Sequence, residues 1–210
     1  MDRKKLSECI RKALEDKGKK KFTQSMEIII NMRGIDFAKS ENRLNLDIVL
    51  PHGKGGKELK SAVFADGAMA DEAKKAGADL VIMPDALSSW AAPAKVKELA
   101  RGYFLLTQPN LMGSVAKAMG QTLGKMGKLP QPITGKVSDL IERSKKSVRI
   151  RSKGKYLPTA QALVGSESME SDKILENAET VYEAVKNKVS EGNIKSVYVK
   201  LTMGRPVRVV

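Results

Sequence analysis

Hydrophobic positions recur along this chain with two periods, and the switches between them predict its elements. In LSECIRKALEDKG (6–18), Leu6, Ile10, Ala13 and Leu14 share one helical face, and the helix is expected to stop at Gly18. FTQSMEIIINM (22–32) then alternates. Phe22, Met26, Ile28, Ile30 and Met32 point one way, and Thr23, Ser25, Glu27 and Asn31 the other, with Ile29 breaking the pattern. Such alternation predicts a strand with one dry and one wet face. NRLNLDIVLP (42–51) repeats it with Leu44, Leu46, Ile48 and Leu50 inward. So does SVYVKLTM (196–203), with Val197, Val199 and Leu201 inward and Ser196, Tyr198, Lys200 and Thr202 outward. Ahead of it, SDKILENAETVYEAVKNK (171–188) reads as a capped helix with Ile174, Ala178, Val181 and Val185 on one face.

The middle of the chain has a different rhythm. SAVFA, DLVIMP and YFLLT are short apolar runs of the kind found in buried parallel strands, and MADEAKKAGA and AAPAKVKELARG between them are helical. This is a βαβ pattern with right-handed crossovers expected. PHGKGGK (51–57) and KSVRIRSKGK (146–155) flank it and read as linkers, and GQTLGKMGKLPQP (120–132) reads as loop. The predicted fold combines α/β and α+β in two domains. Residues 1–55 and 149–210 form a discontinuous α+β open-faced sandwich, and residues 56–148 form an inserted Rossmann-like α/β domain.

Composition adds a partner class. The chain has 210 residues, a formal net charge of +14 and 4% aromatic residues, so the core rests on aliphatic side chains and ten methionines. The charge divides as +5, +5 and +4 over residues 1–55, 56–148 and 149–210, so no single tail carries it. It favours an anionic partner: nucleic acid first, an anionic membrane surface second, with simple solubility as the plain alternative. The single cysteine, Cys9, excludes an internal disulfide and fits a reducing compartment. No stretch suits a signal peptide or a membrane span, so a cytoplasmic protein without a membrane partner is expected.

Catalytic chemistry finds little footing. The only histidine, His52, lies in PHG. It supplies neither a metal cluster nor a triad with a nucleophile elbow, so no metal, no cofactor and no catalytic residue is expected. GKGGK and GKMGK lack the full spacing of a phosphate-binding P-loop, and both a phosphate contact and a flexible linker remain open for them. Asp66, Asp71 and Asp85 sit near expected strand ends, but no GxGxxG accompanies them. The wet face of the terminal sheet offers Thr23, Ser25, Glu27, Tyr198, Lys200 and Thr202. It reads either as an ordinary solvated face or as an RNA platform whose hydroxyls and carboxylate meet ribose. A small-molecule enzyme on the inserted domain and a general nucleic-acid-binding protein are the alternatives.

KFTQSMEIIINM, GIDFAKSENRLNLDIVLPHGKGG, NLMGSVAKAMGQTLGKMGKLPQP and SVYVKLTMGRPVRV occur in this order and together resemble the ribosomal L-one family, in its archaeal form. The resemblance covers nearly the whole chain. It implies a split domain from both termini that binds large-subunit ribosomal RNA, and a Rossmann-like insert on a double hinge. It also implies a place on the mobile stalk near the tRNA exit site, help in releasing deacylated tRNA, and repression of translation at the protein's own messenger RNA. The free protein is expected to be a monomer. Carried over by motif, the RNA site is Phe22, Ser25 and Glu27 with Thr202, Met203 and Gly204. Gly165, Ser166 and Ser168 of VGSESM are implied as a neighbouring loop. Lys21, Lys200 and Arg205 are expected to join the site, with Arg205 and Arg208 at its rim against phosphate. Gly204 would either admit RNA to the backbone or permit a left-handed turn. FTQS differs from the acidic FDET common in bacterial relatives, and the resemblance assigns Gln24 no role.

Overall fold

The structure is a computed structural model, and it describes residues 1–56, 60–151 and 157–210. The chain divides into two compact units, Met1–Lys57 with Lys146–Val210, and Glu58–Lys145.

The first unit begins with α1 (Arg3–Leu14), capped by the Asp2 carboxylate, which accepts from the Lys4 backbone N–H. The next elements are β1 (Ser25–Met32) and β2 (Asn45–Val49). The unit resumes with β7 (Ser147–Arg151), β8 (Thr159–Ser166), α7 (Ser171–Val189), β9 (Ile194–Leu201) and β10 (Val207–Arg208). The main sheet has the order β10-β9-β1-β8, antiparallel throughout, and β2 pairs with β7 in a separate two-stranded sheet. The alternation in β1 sends Met26, Ile28, Ile30 and Met32 into a core shared with Leu6, Ile10, Ile174, Val181 and Val185. Ser25, Glu27, Ile29 and Asn31 remain half-buried on the other face.

In the second unit, β3 (Lys60–Phe64), β4 (Leu80–Ile82), β5 (Tyr103–Thr107) and β6 (Gln131–Pro132) form a parallel sheet ordered β4-β3-β5-β6. α2 (Gly67–Lys75) and α6 (Val137–Lys146) supply one apolar layer, with Ala70, Ala73, Val137 and Ile141 packed on Val63 and Leu106. α3 (Leu87–Trp90), α4 (Pro93–Gly102) and α5 (Met112–Lys125) supply the other, around Phe64 and Leu105.

Three expectations change. The 120–132 stretch is not all loop, because α5 runs on to Lys125. Val115, Met119 and Leu123 form a buried i, i+4, i+8 stripe, and that burial outweighs the low helix propensity of Gly120 and Gly124. The 146–155 stretch is not all linker, because Ser147–Arg151 is β7, with Val148 and Ile150 buried. Residues 152–155 of that stretch, and Lys57 of the other, lie outside the described residues. Lastly, β1 starts at Ser25, so Phe22 does not join its inward face and is 52% exposed.

Candidate nucleic-acid interface

Three segments meet at one end of the main sheet: the approach to β1, the end of β8 with the residues after it, and the turn after β9. β1 lies between the other two strands, with Ser25 opposite Ser166 and Met26 opposite Leu201. Thr202 continues the ladder: its backbone N–H donates to the Ser25 carbonyl at 3.0 Å. Its hydroxyl accepts from the Ser25 N–H at 3.2 Å and lies 3.3 Å from the Ser25 carbonyl, to which it donates. Thr202 is therefore tied to β1 while remaining half-exposed.

The turn closes when the Gly204 N–H donates to the Leu201 carbonyl at 2.9 Å. Gly204 does not have a positive φ, so of the two readings of this glycine the left-handed turn is excluded. A Cβ there would lie 3.1 Å from the Leu201 Cβ and 3.3 Å from its nitrogen, so the turn is tight and a side chain would press on Leu201. Met203 projects outward and is 63% exposed. Phe22 and Met203 are thus two large apolar side chains left in solvent on segments that Gln24 joins, with Lys19, Lys20, Lys21 and Arg205 exposed on the same segments. Lys19 pairs with Asp16. The bond from Lys19 comes first, and the Arg205 backbone N–H helps, in holding the Asp16 carboxyl below its ordinary value.

VGSESM differs from its expected loop form. Gly165 and Ser166 are the last two residues of β8, and both are buried. A Cβ on Gly165 would meet Ile174 at 3.0 Å and Met169 at 3.2 Å, so α7 sits directly on it. The Ser166 and Ser168 hydroxyls share a 2.7 Å hydrogen bond, and only Ser168 of the two is exposed. A bulge between Met26 and Glu27 makes this corner, because it leaves Val164 without a ladder partner.

Further along the outer face, the polar groups bond to one another. Gln161 donates to the Glu27 carboxylate at 2.6 Å, and Lys200 stands opposite Glu27 in the register. Thr159 donates to Asn31 and Asn31 to Ser196, both at 3.0 Å. Glu27 therefore presents a carboxylate already oriented by a neighbour.

Gln24 is the residue that sequence reasoning missed. It is 2% exposed and sits where the three segments join. Its position was a signal, because residue 24 is in phase with Met26 and Ile28, and a polar group on that face needs partners. The isolated histidine has a structural task. His52 contacts Glu176 through Nε2, while its backbone N–H donates to Asn177 of α7 at 3.1 Å. That contact is the first cause of the lowered Glu176 pKa.

A model of the ribosomal protein L1p/L10e family matches residues 12–205. The large ribosomal subunit protein uL1 of Thermofilum pendens is 44% identical over 209 residues, covering 97% of this chain and 92% of that protein. The proteins of the same name from Archaeoglobus fulgidus and Thermococcus kodakarensis are 40% and 39% identical, covering 100% and 99% of this chain and 99% and 98% of their own.

Proposed function

Because the chain belongs to the ribosomal protein L1p/L10e family, we propose that it is a structural component of the large ribosomal subunit that binds ribosomal RNA through the end of its main sheet. The observation that carries the reading is the pairing of exposed Phe22 and Met203 with hydroxyls and cations at one three-segment junction. Ser25, Thr202, Ser168 and the Glu27 carboxylate supply groups for ribose. Phe22 and Met203 supply flat or flexible apolar surface for a base or sugar. Lys21, Lys200 and Arg205 supply charge for phosphates. Gly165 and Ser166 act from beneath, by holding the corner, and Gly204 by keeping the turn narrow. In the cell the protein is cytoplasmic and ribosome-associated, at the mobile stalk near the tRNA exit site, where it assists release of deacylated tRNA. Free, it is a monomer that binds its own messenger RNA at the same surface and represses its translation. Filter binding of the whole chain to transcribed archaeal large-subunit ribosomal RNA, and to a DNA copy, at two salt concentrations tests the reading. Tighter, salt-dependent binding to RNA is expected. Equal affinity for the DNA copy would overturn it.

A further inference from the structure

We infer that Gln24 is a positioning residue of the RNA site. Its buried carboxamide sets the Met203 turn and the Ser166–Ser168 corner in register without itself reaching RNA. The inference rests on the RNA-binding reading above.

The carboxamide touches all three segments of the site. Its Oε1 accepts from the Met203 backbone N–H at 3.0 Å. Its Nε2 lies 3.3 Å from the Glu167 carboxylate and 3.4 Å from the Asp16 carbonyl, and donates to both. The Gln24 backbone carbonyl accepts from the Glu167 N–H at 2.9 Å. The orientation has one solution, because Met203 offers a donor while Glu167 and Asp16 offer acceptors. A reversed amide would face like against like on every side.

Each bond fixes a part of the site. The Thr202 N–H and the Gly204 N–H are held by Ser25 and Leu201 main-chain carbonyls, so the Met203 N–H is the turn amide left to a side chain. Capturing it from below turns the Met203 side chain outward. Glu167 is 6% exposed and lies between Ser166 and Ser168, so holding it inward leaves Ser168 at the surface. Asp16 immediately precedes the basic run Lys17–Lys21, and the bond to its carbonyl anchors the start of that run, which leads to Phe22. A side chain that is 2% exposed in the free protein acts on RNA through these neighbours.

The test compares Gln24→Met, Gln24→Glu, Glu167→Gln and the exchange Gln24→Glu/Glu167→Gln, with Met203→Ala and Thr202→Val beside them. The probe is transcribed archaeal large-subunit ribosomal RNA, and circular dichroism confirms folding. Gln24→Met removes every carboxamide bond at similar volume. Gln24→Glu sets two carboxylates against each other. The exchange restores one donor–acceptor pair and keeps an acceptor for Met203. Gln24→Met and Gln24→Glu are each expected to weaken binding about tenfold, the scale of one or two lost hydrogen bonds, with the salt slope unchanged. The exchange should recover most of the Gln24→Glu loss. Adding Met203→Ala to Gln24→Met should cost less than the sum of the two alone, because part of the Gln24 effect runs through Met203. In the unaltered protein the Met203 amide should exchange slowly with solvent, and this holds as a test even if Gln24→Met does not fold. If Met203→Ala weakens binding while Gln24→Met binds like the parent, or if the Met203 amide exchanges freely, the positioning role is wrong and the site stands. If Met203→Ala and Thr202→Val also bind like the parent, the site itself is misplaced.

Discussion

Asn177→Leu probes how the sheet corner is held. Asn177 is completely buried in α7 and makes three hydrogen bonds with one carboxamide. Its Oδ1 accepts from the His52 N–H at 3.1 Å, and its Nδ2 donates to the carbonyls of Gly53 at 2.9 Å and Val164 at 2.8 Å. Leucine has nearly the same volume and none of these groups. The His52 N–H and the Gly53 carbonyl lie near the surface, where water replaces the lost partner, so each costs about 0.5–1.5 kcal/mol. The Val164 carbonyl differs. It is the bulge residue, its side chain is fully buried, and an unsatisfied carbonyl there costs about 1–3 kcal/mol. The sum is about 2–6 kcal/mol, a large share of the stability of an ordinary domain. Hydrogen exchange of β1, β8 and β9 amides in increasing urea reads the loss directly, because those strands belong to the unit that Asn177 holds. A loss under about 1 kcal/mol at unchanged urea dependence would refute the claim that the bulge depends on this side chain.

Other expectations follow from the same geometry. Thr202→Val should weaken RNA binding by about 1–3 kcal/mol and also lower thermal stability, since its hydroxyl bonds to Ser25 as well as facing solvent; filter binding alongside melting separates the two effects. Gly204→Val should be worse, because its Cβ would press on Leu201 within the turn, and unaltered binding and melting would contradict the tight-turn reading. Arg205→Ala should lower the slope of log affinity against log salt by about one unit, whereas an unchanged slope would place Arg205 away from phosphate. Asp79 accepts from the Ser61 backbone N–H at 2.8 Å and from its hydroxyl at 3.1 Å, and these bonds, the backbone one first, hold its pKa below the ordinary value. A depressed folded pKa gives stability that is present above the unfolded value and lost as pH falls through the folded one. Urea unfolding followed by the fluorescence of Trp90, the single tryptophan, should therefore show Asp79→Asn flattening the acid side of the stability profile of the second unit.

The sequence announced elements whose burial is one-sided and left others silent. β1, β9 and α7 were legible because Val, Ile and Met recur at a clean period, and even Ile29, the break in the pattern, proved to be a half-buried residue on the outer face. β8 went unread because its inward positions include Ala160 and Ala162, whose small side chains carry a weak strand signal. β7 was hidden by flanking lysines and glycine, and the second half of α5 by glycines that its apolar stripe overrides. At the candidate site, Phe22, Ser168 and Met203, which the family resemblance named, are exposed. Gln24, Glu167 and Asn177 were not legible, because Gln24 and Asn177 satisfy backbone groups, and Glu167 the Gln24 amide, on segments that only folding brings together.

The place of β1 between β8 and β9 has a consequence for how the protein is made. Gln24 and Glu167 are 143 residues apart, and Ser25 and Thr202 are 177 apart. Synthesis runs from the N-terminus, so β1 emerges first and waits, while the contiguous stretch Glu58–Lys145 has every strand of its own sheet at hand. The corner formed by Ser25, Ser166 and Thr202 closes only once Thr202 has been added, directly after β9 ends at Leu201. A chain stopped before Thr202 lacks one wall of the surface, however well the rest has folded. Fragments that stop short of Thr202 are therefore expected to compete poorly for whatever the completed surface holds.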